Sequence, residues 1–270
     1  MKYFNKIILF TSSLLLISCN LSFNGYEYEN DKHYQATSEL RLDQINFNTI
    51  NLHWINGNIN VSQSNTSENY LYFIEFYSNQ DEDLKLHYWV NNDILNIHFV
   101  KDGTPQSKLN NFSKNLDIVI PSSLTDFNIQ SVNNEITFNS DISLNEFNLE
   151  GVNGKVNFNY ESKIDNIDIE VVNYNINFSS LECNNLDVEK VNGNLQISNI
   201  NNDDFMDISI DSVNGNDRIY IKESQGYKIN VKSFQYFSSE FGNTYNYGDE
   251  KIRIDYISVS GKLYVYKNED

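Results

Sequence analysis

One short phrase recurs seven times in this chain, and no other feature limits its folding so strongly. An apolar residue is followed by Asn (Ser in the last copy), usually by Gly, and then by alternating apolar and polar residues. The copies begin at Ile55, Val132, Val152, Val172, Val191, Val213 and Val259. Asn133, Asn153, Asn173, Asn192 and Asn214 stand 20, 20, 19 and 22 residues apart. A unit this short cannot bury its own apolar face, so it must stack on its neighbours.

Within a copy, Phe147 and Leu149 alternate with Asn148 and Glu150, and Val156 and Phe158 flank Asn157. This period of two marks strands with one buried face. The pattern predicts that Val152, Val172 and Val191 join the buried set. Asn-Gly is also a hairpin signal, which would give a meandering sandwich or barrel. The near-constant spacing favours instead an all-β, right-handed parallel β-solenoid (β-helix) of coils of about twenty residues. In that arrangement one Asn per coil is expected to adopt the left-handed conformation at a corner. Its amide would then bond the Asn of the next coil, about 4.8 Å away. Asn133, Asn153, Asn173, Asn192 and Asn214 are the predicted structural corner ladder.

The two ends differ from the repeats. Lys2 and Lys6 precede an apolar run from Ile7 to Ile17, too short for a membrane span and right for a signal peptide. Residues 1–18 are read as that signal and 19–40 as a polar tether. Residues 41–115 are read as an N-terminal β cap with the first coil, and 116–270 as the solenoid repeats. Tyr70 to Tyr77, Leu84 to Val90 and Ile94 to Val100 read as three consecutive antiparallel strands covering the open end. The aromatic segment containing Phe234, Tyr236, Phe237, Phe241, Tyr245 and Tyr247 reads as a loop folded over the core. The alternative is a set of platforms for sugar rings.

The run Leu16-Ile17-Ser18-Cys19 resembles the lipobox of bacterial lipoproteins, which implies lipid attachment at Cys19 and a membrane anchor. The signal, the early I-N-G-N-I-N-V at Ile55, the strand ending Ile120-Pro121 and the V-N-G coils through Val265 resemble the "putative adhesin" family of bacterial envelope domains, lipoproteins with autotransporter-adhesin-like repeats. That resemblance implies a β-solenoid exposed outside the cytoplasm, in the cell envelope or on the surface. The family more often carries Gly after the corner residue. Asn133-Asn134 and Asn173-Tyr174 depart from this.

Net charge is −18, and loss of Lys2 and Lys6 makes it two units more negative. This argues against nucleic acid as a partner. The two cysteines are Cys19 and Cys183. With Cys19 acylated, Cys183 has no intrachain partner and reads as a core residue. His87 and His98 fall on neighbouring strands, but no spacing of Cys or carboxylates completes a metal site. Asp81-Glu82-Asp83 and Asp203-Asp204 read as solvated turns, without the calcium-binding roll motif. No nucleophile elbow or phosphate loop is present. The sequence therefore predicts no catalytic residues, no metal and no cofactor. It predicts a non-enzymatic, adhesin-like or scaffold lipoprotein that meets a glycan or an envelope protein. The alternative is a carbohydrate-active β-solenoid enzyme (polysaccharide lyase or hydrolase), which would need a carboxylate-lined cleft that the sequence does not predict.

Overall fold

The structure, a computed structural model, describes residues 35–77, 81–101, 103–232, 236–242 and 244–268. Cys19 and His33 lie outside the described residues. The described chain is all-β. Its first strands are β1 (Gln35–Thr37), β2 (Glu39–Leu42), β3 (Thr49–Asn56), β4 (Ile59–Gln63), β5 (Leu71–Phe76), β6 (Leu86–Asn91) and β7 (Ile94–His98). Then come β8 (Asn115–Ile120), β9 (Asp126–Phe138), the long β10 (Ile142–Glu182), β11 (Asn185–Asn192), β12 (Leu195–Ile197) and β13 (Met206–Ser212). The last are β14 (Asn216–Lys222), β15 (Tyr227–Lys232), β16 (Tyr236–Ser239), β17 (Asn246–Tyr247), β18 (Ile252–Ser258) and β19 (Lys262–Asn268). They form one open sheet.

The pairings fall into two rows that meet at the Asn corners. Row one runs β1, β6, β7, β3, then residues 126–131 of β9, two passes of β10, and β11, β13, β18, β15 and β17. Row two runs β2, β5, β8, β4, then residues 136–138 of β9, the same two passes, and β12, β14, β19 and β16. Most pairings are parallel and join one repeat to the next: Phe147 lies beside Phe127, and Ile167 beside Leu186. Antiparallel pairing is confined to the ends, at β1–β6, β6–β7, β2–β5, β5–β8 and β15–β17.

Chain order and stacking order differ at both ends. β3 and β4 pair directly with β9, and the intervening β7 and β8 lie on their outer side. At the other end β18 and β19, the last strands, insert between β13–β14 and the earlier β15–β16. Each terminal copy is thus one layer in, and a longer internal segment covers it. An uncovered strand edge is a template for aggregation, so this placement shields the repeats. The predicted run of three antiparallel strands is corrected here. Only β6 and β7 form a hairpin, while β5 crosses to row two and pairs with β2 and β8. Residues 35–37 and 39–40, at the end of the segment read as a tether, belong to β1 and β2.

The inward faces of the rows meet in one apolar cluster. Phe138, Phe158 and Phe178 stack at 4.1 and 4.6 Å, and Phe147 of row one meets Phe138 and Phe158 edge-on at 5.5 and 5.3 Å. Like rests on like because successive copies hold the same register. The valines before the corner Asn are a correction: Val132, Val152, Val172, Val191 and Val213 are only half-buried. Alternation from Leu149 runs inward through Gly151, so Val152 and Asn153 both point outward at the corner. The inward position just before the valine holds Trp54, Ser131, Gly151, Val171, Lys190 and Ser212 in successive layers.

Tyr174 explains where glycine is required. Its ring turns inward, fully buried, and its hydroxyl reaches Ser131 Oγ at 2.7 Å, two layers away. The ring crosses Gly151 and Gly154, where an added Cβ would come within 2.7 Å of it. At Gly193, with φ of 116°, a Cβ would stand 1.7 Å from the carbonyl oxygen of Tyr174. Large and small residues therefore alternate down this column, which is how two corners tolerate the absence of Gly.

Candidate functional site

The outward face of row one carries three columns. Each strand there presents three alternating side chains, and register aligns them layer on layer. The outer column includes Asp126, Glu146, Asn166, Asn185 and Asp207. The middle holds Asn128, Asn148, Asp168, Asp187 and Ser209, and the column nearest the corner holds Gln130, Glu150, Glu170, Glu189 and Asp211. Toward the N-terminal end the middle column is a ladder of amides. Asn148 donates to Asn128, Asn128 to Asn51, and Asn51 to Asn96, at 2.8, 2.8 and 3.2 Å. At Asp168 the amides give way to carboxylates.

Two adjoining shallow depressions lie on this face. The first, about 440 Å³, is lined by His53, Glu146, Glu150, Asp168 and Glu170 among others. The second, about 630 Å³, continues past Asp187 to Asp207, Asp255 and Arg253. Partial burial, then Asp187, Glu170 and Glu146, push the Asp168 carboxyl up to about 6. Glu150 and Glu170 are also raised, mainly by burial. Asp168 and Asp187 are register partners on neighbouring strands. Their backbones are about 4.8 Å apart. The sequence predicts no carboxylate-lined cleft; the structure has this one, shallow and open. The signal was present in the sequence as acidic residues recurring at the repeat spacing. It is masked there because each taken alone reads as a solvated strand residue.

The corner asparagines lie along one edge, exposed or half-exposed, and are hydrogen-bonded in one direction. Asn153 donates to Asn133 at 3.0 Å, Asn173 to Asn153 and Asn192 to Asn173 at 2.8 Å, and Asn214 to Asn192 at 2.9 Å. The row extends to Asn56, which accepts from Asn133 at 2.7 Å and donates to the Phe112 carbonyl. At the other end Ser260 donates to Asn214. None of these asparagines is left-handed, contrary to the expected backbone. Positive φ falls instead on Gly57 and Gly193, the residues after Asn56 and Asn192. The bonding is satisfied by side-chain stacking alone and requires no strained Asn.

Other singled-out residues are structural. His53, His98 and His87 stand side by side on β3, β7 and β6. The rings of His53 and His98 stack at 4.6 Å, and Trp89 meets His98 edge-on at 4.4 Å. Burial lowers all three, His53 to about 4. Among the described residues no group of three or more His, Cys, Asp or Glu is placed to hold a metal ion. Cys183 is buried, and burial raises its thiol far above the usual range. Phe241 is buried, and with Tyr247 it packs on buried Tyr227.

Two buried ion pairs have no sequence signal. Lys190 Nζ lies 3.0 and 3.1 Å from the two oxygens of Asp217, with both side chains fully buried. Tyr256 and the Leu195 N–H also donate to that carboxylate. Lys114 meets Glu75 at 2.5 Å among the rings of Trp54, Tyr77 and Phe99.

Among solved structures the chain is similar to a putative adhesin from Parabacteroides distasonis. The TM-score is 0.50 and the identity 14%, covering 87% of this chain and 97% of that one. It is similar also to a putative adhesin from Bacteroides fragilis, with a TM-score of 0.50 and 13% identity over 88% of this chain and 98% of that one. At this identity the likeness speaks for the all-β fold alone. No protein-family model matches the sequence, and no curated protein matches it.

Proposed function

We propose that this chain is a non-enzymatic binding module of the bacterial envelope, adhesin-like or scaffold-like, carried outside the cytoplasm. In this reading residues 1–18 are a signal peptide, Cys19 bears the lipid, and the residues after it form a tether. The paired repeats wind as a right-handed β-solenoid, as expected if each corner Asn advances the chain by one strand spacing. The observation that carries the reading is the register. The same outward position recurs in layer after layer, giving long flat columns of amides and carboxylates suited to an extended partner. The names of the two similar structures support it. The experiment is capture from envelope extracts by the full chain, with partners identified by mass spectrometry. Failure to retain any envelope protein or glycan above a scrambled-column control counts against it. For the anchor, Cys19→Ser should leave unprocessed precursor or release the protein from membranes. A variant that still partitions into detergent as lipoprotein sinks that part.

A second reading has one specific observation in its favour. Asp168, raised to about 6, lies beside Asp187 in an open depression. A raised carboxyl beside a second carboxyl group is the kind of pair that glycosidic-bond cleavage uses. Incubation with neutral and acidic polysaccharides decides between the readings. Cleavage abolished by Asp168→Asn would establish the enzyme.

A further inference from the structure

The outward face of row two differs in charge from that of row one, and its C-terminal end is aromatic and cationic. β14, β19 and β16 lie side by side there. Register sets Arg218 beside Tyr264 and Tyr220 beside Tyr266, with Lys262 beside Tyr236. The rings form a connected set: Tyr220–Tyr266 at 4.9 Å, Tyr264–Tyr266 at 6.2 Å and Tyr236–Tyr264 at 5.8 Å. Tyr236 is 54% exposed, and Arg218, Tyr220, Tyr264 and Tyr266 are half-exposed.

The two cations of the patch lie against rings and not against carboxylates. Lys155, Lys163, Lys228 and Lys267, also at outward positions, each pair with a glutamate. Among the described residues Arg218 and Lys262 have no carboxylate in ion-pair range. The Arg218 guanidinium lies 6.0 Å from the Tyr264 ring centre, and the Lys262 ammonium 5.6 Å from that of Tyr236. Among the described residues Lys222, Lys251 and Arg253 also lack an ion pair, Lys251 bonding the Asp203 carbonyl and Arg253 lying over Phe205; Arg218 and Lys262 are set apart by sharing one connected set of tyrosines.

We propose that this patch binds an anionic polysaccharide, one bearing carboxylate or sulfate groups along an extended chain. The inference rests on the binding-module reading above and adds to the columns of row one a second site, on row two, with a stated ligand class. Tyrosines give rigid, amphipathic contact with hydroxyls for sugar hydroxyls, at low entropy cost. Arg218 offers a planar fork that matches a carboxylate or sulfate, and Lys262 a second point charge. The patch is flat and lies on a sheet, which suits a polymer more than a compact molecule that needs a pocket. The acidic columns lie on the opposite face. They stand across the apolar core from the patch, and their repulsion of an anionic ligand weakens as salt rises. Nucleic acid fits less well, since its dense phosphate charge needs more cations than two.

Affinity electrophoresis and titration of the full chain test this, with polygalacturonate, dextran sulfate, uncharged dextran and an oligo-dT strand as probes. Polygalacturonate or dextran sulfate, or both, should retard the protein, and uncharged dextran should not. Which of the two binds more tightly tells carboxylate from sulfate. Arg218→Gln should weaken binding at least tenfold, Lys262→Gln several-fold, and Tyr264→Ala at least several-fold. Circular dichroism should remain unchanged, and Arg41→Gln at the far end should bind as wild type. Retention of neither anionic polymer, equal retention of uncharged dextran, tighter oligo-dT binding, or full binding by folded Arg218→Gln would each overturn the proposal. Repeating the envelope capture with Arg218→Gln separates the two levels. Partners captured equally by wild type and variant leave the module reading intact and remove this patch from it.

Discussion

Asn133 donates its side-chain amide to Asn56 at 2.7 Å, across 77 residues of sequence. The contact joins the isolated early copy to the regular repeats. It also fixes where β5 to β8 belong, because β3 and β4 pair directly with β9 and the strands between them in sequence must lie on the outer side. The bonds from Ser260 back to Asn56 all point the same way, so each amide polarises the next.

Replacing one rung should cost more than replacing an unbonded outward residue. Asn153→Ala removes a bond on each side and should lower stability by about 1 kcal/mol or somewhat more. No relief of backbone strain is expected, since Asn153 has no positive φ. Ser209→Ala on the neighbouring face is the control and should change little. Asn157 would be a poor control, because it accepts from Asn177 at 2.8 Å in a second ladder. Equal denaturant midpoints for Asn153→Ala and wild type would remove the ladder from the stability account.

The Lys190–Asp217 pair should show strong coupling. Lys190→Met alone leaves a buried carboxylate without its counter-ion and should destabilise by about 3–5 kcal/mol. Asp217→Leu alone strands the ammonium and should be similarly harmful. The double variant removes both charges and should recover much of the loss, as seen in chemical unfolding. Additive losses would mean that the two charges act independently.

Asp168 should make folding more favourable as pH falls. Its folded-state value of about 6 lies above the usual carboxylate value near 4. The folded protein therefore binds a proton between those limits that the unfolded chain does not, and stability from this group rises through that window as acid is added. Asp168→Asn mimics the protonated form. It should melt about 1–2 °C above wild type at pH 8, a figure kept small because the group is partly solvent-screened. The gap should close by pH 4. A gap constant with pH would show that Asp168 titrates normally.

The histidine row should act in the opposite direction. His53, His98 and His87 have lowered folded-state values, so the unfolded chain takes up protons first as pH falls below about 6.5. Stability from this row is present above that pH and is lost progressively toward pH 4. The nearby charges are Lys85, Lys101, Lys114 and Asp83, and Glu150 lies two layers along the same column. His98→Phe keeps an aromatic ring against His53 and Trp89 and should flatten the acid loss. An unchanged melting profile between pH 7 and 4 would place the acid sensitivity elsewhere.

Much of this protein follows from local periodicity. Alternation in Phe147–Leu149 and Val156–Phe158 fixes which side chains turn inward, because successive residues of a strand must face opposite sides. The spacing of the asparagines sets the parallel register, because like residues stack when one copy repeats the last. Val152 reads as buried from the sequence, but alternation continues inward through Gly151, and a small residue hides that phase. The ion pairs, the exchange of layers at both ends and the Tyr–Arg patch came only from the tertiary structure. Lys190 meets Asp217 across 27 residues, and Tyr236 reaches Tyr264 only because β19 inserts beside β16. Such partners are chosen by which edges need covering and which charges share a buried layer. These are conditions on the whole stack, and no single repeat carries them.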